Sequence, residues 1–544
     1  NEKALINKKQ VVLDCGYKCL RGLVTVSRVY DEMKEMMICN FYLSLLFFIS
    51  VLCVLKFATK TKTKPKTKLN LPPSPPKLPF IGNLHQFGTL PHRSLRNLSL
   101  NHGGIMLLQL GQMENPTLVV SSAEAVTEIM KTHDLAFSDR PQNIAAKILL
   151  YGCTNIAFSL YGQNWRHKRK ISVLQLLNMK RVQSLHQIRE EEVANLVNKL
   201  RDVSSSDDEC YVNLSEMLMS TSSDVACKCA LGRKYSGDGH SRVKELANDV
   251  MHQLVAFTVG DYFPLLGWVD FLTGKIQEYK ATFHALDALF DQTIAENLTE
   301  NMEGDHSENK SFVNVLLQLQ QSNNLNFELT KNDVKTLLLD MFAGGTDTTA
   351  VTAEWAMSEL MRNPAIMKKA QEEVRKIVGH KSKIEESDMS QMHYLKCIIK
   401  ETLRLHPAAP LLAPRTTISS VKLRGYDIPA KTLVYVNAWA IHRDPNFWES
   451  PEEFTPERFE NSQIDYKSQH FHYIPFGFGR RGCPGIYFGL ALVEYFLANL
   501  LCWFDWKLPE SDEHKDIDMS EKFGLVVSRK IPLYLNPVTF PSKF

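Results

Sequence analysis

The stretch Phe476-Gly-Phe-Gly-Arg-Arg-Gly-Cys483-Pro-Gly485 surrounds one cysteine with the residue types that a metal-bound thiolate needs. Glycines at 477, 479 and 482 let the backbone turn tightly and approach a flat cofactor without Cβ clashes. Pro484 suits the first turn of a helix, which would put Cys483 at a helix N-terminus. Backbone N–H groups and the positive end of the helix dipole favour a thiolate there and are expected to lower the cysteine pKa. The stretch therefore reads as a haem-ligand loop with Cys483 on the metal. A thiolate pushes electron density through iron and favours O–O cleavage. The plainer reading, a glycine-rich turn around a buried structural cysteine, does not account for the flanking pattern.

Working outward, Gly344-Gly345-Thr346-Asp347-Thr348-Thr349 interrupts a strongly helical stretch between Leu337 and Met357. Two glycines, an acid and three threonines cost helix propensity, so the stretch needs another justification. Glycine permits close contact with a flat ligand, and a threonine hydroxyl can bond the carbonyl four residues back and bend the helix. An adjacent Asp and Thr can also pass protons. Glu401-Thr-Leu-Arg404 puts opposite charges on one helix face, and Pro456-Glu-Arg458-Phe459 supplies a further arginine. Trp165 and Arg169, four apart, share another helical face.

Phe476, Gly479, Arg481, Cys483 and Gly485 meet the pattern Phe-x-x-Gly-x-Arg-x-Cys-x-Gly, which resembles the haem signature of the cytochrome P-450 superfamily. The other motifs follow in that superfamily's order over roughly residues 71–535, and together they look like a plant A-type microsomal member. The resemblance implies a mainly α fold with small β-sheets, and haem b as cofactor with Cys483 as its axial ligand. It makes Thr348 the oxygen-side hydroxyl and Asp347 its acid partner. Trp165, Arg169, Arg415 and Arg481 become propionate ligands, and Phe476 and Gly485 are further cofactor-binding residues. Glu401, Arg404 and Arg458 form a buried structural network. Pocket residues, on the same ground, are Phe158, Phe342, Ala343, Ala409, Leu412 and Val526; they are apolar and suit a lipophilic small molecule such as a terpenoid or phenolic precursor. Gly482, directly before the cysteine, departs from the larger apolar residues frequent there.

A chain of 544 residues with net charge +3 and 23% charged side chains has an ordinary globular surface, so bulk electrostatics give no support for nucleic-acid binding. Eleven cysteines show no zinc or disulfide spacing, which fits a reducing compartment. Helical periodicity predicts long helices near 164–202, 243–258, 276–300, 331–362, 365–378 and 391–405, and strands at 117–120 and 432–436. Residues 1–36 are mixed and charged and are expected to be upstream-translated or non-native sequence. The uncharged run Met37–Leu55, followed by Lys56, Lys60, Lys62, Lys64, Lys66 and Lys68, predicts a transmembrane anchor over 37–57 with its lysine flank in the cytosol. A basic and proline-rich hinge over 58–83 then leads into a catalytic domain over 84–544.

The expected activity is monooxygenation in the endoplasmic reticulum membrane. Electrons come from NADPH through a reductase, and cytochrome b5 is a second expected partner. Two other readings stay open. A haem-thiolate isomerase or dehydratase would use Cys483 without O2, and a non-enzymatic membrane haem protein would need neither a proton relay nor a substrate cavity.

Overall fold

Apolar residues at helical spacing dominate this chain, and the helices they build pack around two that are buried on nearly every side. The computed structural model describes residues 37, 40–51, 69–205, 210–234, 238–302, 310–322, 325–466, 470–509 and 517–541. Contacts divide the chain into Asn1–Leu69 and Asn70–Phe544.

In the first unit, Asn40–Val51 is an apolar helix whose Phe41, Leu46, Phe47 and Phe48 are exposed. Alone it is shorter than the ~20 residues that span a bilayer. The remainder of the expected anchor, the lysine block and residues 1–36 lie outside the described residues.

In the second unit, the helix Lys331–Arg362 forms the axis. It starts at a capping box: Thr330 Oγ1 accepts from the Asp333 amide at 3.1 Å, and the Asp333 carboxylate accepts from the Thr330 amide at 3.0 Å. Asn363, which precedes Pro364, ends it, because the residue before proline is pushed out of the α region. Leu337, Leu338, Ala353, Ala356 and Met357 are fully buried, as expected of a helix packed on several faces. It packs chiefly on Leu214–Leu231 and on Ile486–Trp503. The latter has the length and apolarity of a membrane span, but it is 72% buried inside the protein and is a core helix.

The sheets are small. Ile105–Leu108, Thr117–Val120, Leu433–Val436 and Arg415–Thr416 form a four-stranded sheet in that spatial order. Thr117–Val120 runs parallel to Leu433–Val436, with Thr117 opposite Leu433. Val212–Asn213, Tyr534–Thr539 and Phe504–Lys507 form a three-stranded sheet, and two short ribbons complete the β structure among the described residues. The proline-rich segment is tied to the first sheet: Pro73 O accepts from the Leu107 amide at 2.8 Å, and the Asn83 side chain donates to Pro76 O at 3.2 Å.

One helix is interrupted where the periodicity predicted continuity. Residues 164–202 divide into Gln163–Ile171, a π turn over Ser172–Leu176, Met179–Ser184 and His186–Ser204. Asn178 causes one of the breaks: its side chain accepts from the Arg181 amide at 2.9 Å and caps a new helix.

Candidate functional site

The cysteine loop turns where glycine is required. Gly477 and Gly479 have φ of +70° and +64°, and a Cβ on Gly479 would collide with the Asp134 carboxylate. The Cys483 amide donates to Phe476 O at 2.9 Å and closes the loop. Phe476 is braced edge-on by Tyr466, with ring centroids 5.4 Å apart. The following helix starts at Ile486 with Gly485 as its N-cap, so Pro484 lies before the first turn rather than in it. Gly485 N–H points at Cys483 Sγ, 3.3 Å away. Cys483 is exposed to open space, yet enough protein surrounds it to desolvate it. Burial pushes the thiol pKa up, against the opposing effects of the Gly485 amide and Arg169. In the protein alone burial outweighs the local dipoles, so the expected depression is not seen there; a coordinated metal cation would supply the missing positive charge.

Four arginines gather beside this loop. Arg169 donates to Gly482 O at 2.7 Å. Arg415 donates to Phe478 O at 2.6 Å and its guanidinium lies 4.1 Å from the Phe478 ring centroid. Arg481 donates to Ser138 O at 2.6 Å and Ile156 O at 3.0 Å, with its guanidinium 4.4 Å from the centroid of Trp165. Trp165 Nε1 donates to the same Ile156 O at 3.1 Å. The fourth is Arg140, which sequence reasoning missed; it donates to Ala157 O at 3.0 Å and Pro414 O at 2.7 Å. An arginine directly before Pro141 was the only sequence signal. Burial lowers all four pKa values, to about 10 for Arg415 and about 9 for Arg481. Repulsion from Arg415, Arg481 and Arg169 depresses Arg140 further. So much enclosed positive charge, facing chiefly Asp134 and Asp139, fits a cofactor that carries carboxylates.

The central helix presents its glycine segment close by. A Cβ on Gly344 would meet nothing within 4 Å, so open space adjoins it. A Cβ on Gly345 would stand 3.2 Å from Phe488, in the helix that follows the cysteine loop. Thr348 Oγ1 donates to Gly344 O at 2.8 Å, as the sequence led us to expect. Ser222 of the neighbouring helix adds a bond to Thr346 O at 2.8 Å. Asp347 Oδ1 is buried without a hydrogen-bond partner, and desolvation raises the carboxyl pKa to about 6. The loop, the arginines and the glycine face together fit haem: one thiolate donor, anion-binding guanidiniums and space beside a glycine.

The three charged residues of the expected network meet, with Arg458 half-buried rather than buried. Arg404 holds Glu401 with two bonds of 2.8 Å, and Arg458 Nε donates to Glu401 Oε1 at 2.9 Å. Glu401 and Arg404 are fully buried. Arg404 also donates to His442 O, Pro451 O and Glu453 O, at 2.9, 2.7 and 2.9 Å.

Among the expected pocket residues, Phe158 is buried, and Ala343, Ala409, Leu412 and Val526 are half-buried. Leu412 Cδ1 comes within 4.0 Å of a Cβ built on Gly477, beside the cysteine loop. Phe342 is a correction: it is fully buried in a separate cluster with Cys227, Val243 and Ala247, because its position on the helix turns it away from Gly344. Lys168, which the sequence did not single out, is 1% exposed, paired with Asp333 at 2.5 Å and bonded to Thr154 O at 2.6 Å. Asp340, also missed, accepts from the Asn155 side chain and the Ile156 amide, both at 2.6 Å. Together Lys168 and Asp340 fix the segment from Thr154 to Ile156.

This geometry agrees with what comparison with known proteins finds. The cytochrome P450 family profile matches residues 72–536. The chain is 48% identical over 503 residues to a phenylacetaldehyde oxime monooxygenase of Prunus mume, covering 91% of this chain and 95% of that protein. It is 52% identical over 458 residues to cytochrome P450 71A1 of Persea americana, covering 84% and 90%. A zebrafish cytochrome P450 solved with progesterone superposes with a TM-score of 0.69 at 23% identity, covering 82% of this chain and 99% of that one, and shares the fold. The chain belongs to the cytochrome P450 family, among the plant A-type monooxygenases. Membership implies haem held by a cysteine thiolate.

Two outcomes follow from the electrostatics. Arg404→Met should cost roughly 3–5 kcal/mol, since it leaves the buried Glu401 carboxylate short of a partner; chemical denaturation of wild type and variant reads it. Asp347 has a folded pKa of about 6 against 3.8 in the open chain. As pH rises between those values the unfolded state releases its proton first, so stability falls across that window and the penalty is complete above it. Asp347→Asn should remove this fall and raise stability at neutral pH by roughly 1–3 kcal/mol, measured by urea unfolding at several pH values.

Proposed function

We propose that Cys483 is the thiolate ligand of haem b in a monooxygenase that takes electrons from NADPH through a reductase and oxidises a lipophilic plant metabolite, terpenoid or phenolic. The observation that carries this reading is the exposed Cys483 thiol in a loop flanked by the buried Arg140, Arg415 and Arg481 and the half-buried Arg169. When bound, haem supplies O2 activation, so that RH, O2, two electrons and two protons give ROH and water.

The chain's own residues do the rest. Arg140, Arg169, Arg415 and Arg481 hold the cofactor carboxylates, with Trp165 stacked under Arg481. Phe476 and Gly485 keep the loop in shape around the sulfur. Asp347 takes and releases a proton at its partnerless Oδ1, aided by a pKa near neutrality. Thr348 Oγ1, now bonded to Gly344 O, turns toward the open space to hand a proton on. A group that delivers protons has work in a monooxygenase and little in an isomerase, a dehydratase or a passive haem carrier. Phe158, Ala343, Ala409, Leu412 and Val526 supply an apolar wall that excludes water and selects a lipophilic substrate.

We also propose an endoplasmic reticulum location with the catalytic unit in the cytosol, where the reductase and cytochrome b5 donate electrons. The apolar helix Asn40–Val51 supports it. So does an exposed apolar surface on the second unit, where Leu265, Trp268, Phe271 and Leu272 are 62, 58, 61 and 71% exposed. Phe80 and Ile81 adjoin it, as Gly111 bonds Ile81 O and Gln112 bonds Tyr262 O.

Cys483→Ala should abolish the red-shifted ferrous–CO absorption that marks thiolate ligation, and an unchanged spectrum would sink the assignment. Thr348→Ala should keep substrate binding and haem reduction yet divert electrons to peroxide. A positioned proton donor is worth about 10²–10⁴-fold in rate, so product formed per NADPH should drop; turnover without NADPH in wild type would overturn the monooxygenase reading. Deleting residues 1–57 should shift the protein toward the soluble fraction with haem retained, and adding Trp268→Ser and Leu272→Ser should release most of what stays bound to microsomes.

A further inference from the structure

His442 is fully buried, and beyond the main-chain bond already described both of its ring nitrogens are used. Nε2 accepts from the Ile474 amide at 2.9 Å. An acceptor at Nε2 leaves the proton on Nδ1, which lies 3.1 Å from Arg404 O and donates to it. This tautomer is neutral. Burial, with the charge of Arg404 next, holds the ring pKa down at about 3, and Arg443 and His472 push the same way.

The position of those partners gives the ring its significance. Arg404 stands in the last turn of the helix His393–Leu405, where carbonyls lack helical partners, and His442 satisfies that one. In return the Arg404 guanidinium donates to His442 O at 2.9 Å. Residue 442 is thus tied to Arg404 twice, side chain to main chain in each direction. On its other side the Ile474 amide opens the approach to the cysteine loop. Ile474 O accepts from the Gly477 amide at 3.0 Å, and Phe476 O accepts from the Cys483 amide at 2.9 Å. A second strap runs in parallel, from Tyr473 Oη to Lys400 O at 2.9 Å on the same helix. A series of hydrogen bonds, linked through the backbone of residues 474, 476 and 477, therefore runs from Glu401 to Cys483, and within it the imidazole bridges helix and loop.

We propose that His442 is a positioning residue for Cys483: it transmits the Glu401–Arg404–Arg458 lock to the cysteine loop and sets where the sulfur stands. This rests on Cys483 being the haem ligand. Two donor–acceptor positions at fixed separation are what the bridge needs. Glutamine, with one amide oxygen and one NH2, partly supplies them; phenylalanine fills the same volume and supplies neither.

The test compares wild type, His442→Gln and His442→Phe in two measurements. The first is the ferrous–CO spectrum of the holoprotein. His442→Phe should lose several-fold of the thiolate-type band per haem, and His442→Gln should regain at least half of it; an intact band in the phenylalanine variant overturns the proposal. The second is amide hydrogen exchange in the full chain without carbon monoxide. His442→Phe should speed exchange about tenfold at Ile474, Gly477 and Cys483 while leaving the core helix Ile486–Trp503 protected. Unchanged exchange at Cys483 overturns the proposal. If the phenylalanine variant does not fold, wild type alone decides: coupled residues open together, so Ile474 and Cys483 should share one opening free energy, and a Cys483 amide that opens while Ile474 stays protected overturns the bridge. A wild type that lacks the thiolate band refutes the ligand reading instead, and the exchange data then judge His442 separately.

Discussion

One carboxylate, on Glu401, is shared by two guanidiniums in the interior of the protein, and the lower half of the site hangs from that arrangement. A buried carboxylate is tolerable only when its lone pairs are matched. Arg404 matches two of them, Arg458 Nε and the Thr455 amide take the rest, and each partner belongs to or reaches a different segment. Arg404 then spends its remaining donors on His442 O, Pro451 O and Glu453 O. The helix His393–Leu405, the irregular stretch from 442 to 459 and the approach to the cysteine loop are thereby fixed against one another with few regular elements. Interior electrostatics do here what a sheet does elsewhere.

The cofactor region applies the opposite tactic. Its four arginines outnumber the acids that face them, chiefly Asp134 and Asp139, and lean on backbone carbonyls, while burial disfavours the charged form of Cys483. Each group is uncomfortable alone. An iron porphyrin with two carboxylates, held here, would relieve both kinds of strain, with positive charge for the sulfur and negative charge for the guanidiniums. The same reasoning covers Asp347, whose partnerless oxygen and raised pKa are penalties in a resting fold and assets in a site that must deliver protons.

Much of this was legible in the residues. The cysteine loop, the glycine–threonine segment and both halves of the charge network stood in the sequence as clustered side chains whose local cost had no local explanation. The strands 117–120 and 433–436 were visible as short apolar runs. Arg140, Lys168 and Asp340 were not, because a lone charge in a sequence looks like a solvated one; their carbonyl and amide partners lie far off in the chain or in loops without pattern. Phe342 misled for a related reason. Its neighbours in sequence belong to the site, but 100° per residue turns it into another cluster.

The sequence by itself determined the chemistry on offer: a cysteine in a glycine-rich turn, an acid and hydroxyl in a weakened helix, and a glutamate with two arginines to share it. These follow from residue type and short-range spacing, which are local properties. Tertiary structure decided which charges are buried, which carbonyls receive them, and that the helix Ile486–Trp503, apolar enough for a membrane, packs inside the protein. It also made His442 a bridge, since burial and long-range hydrogen bonding depend on what the rest of the chain brings alongside, and no window of sequence contains that.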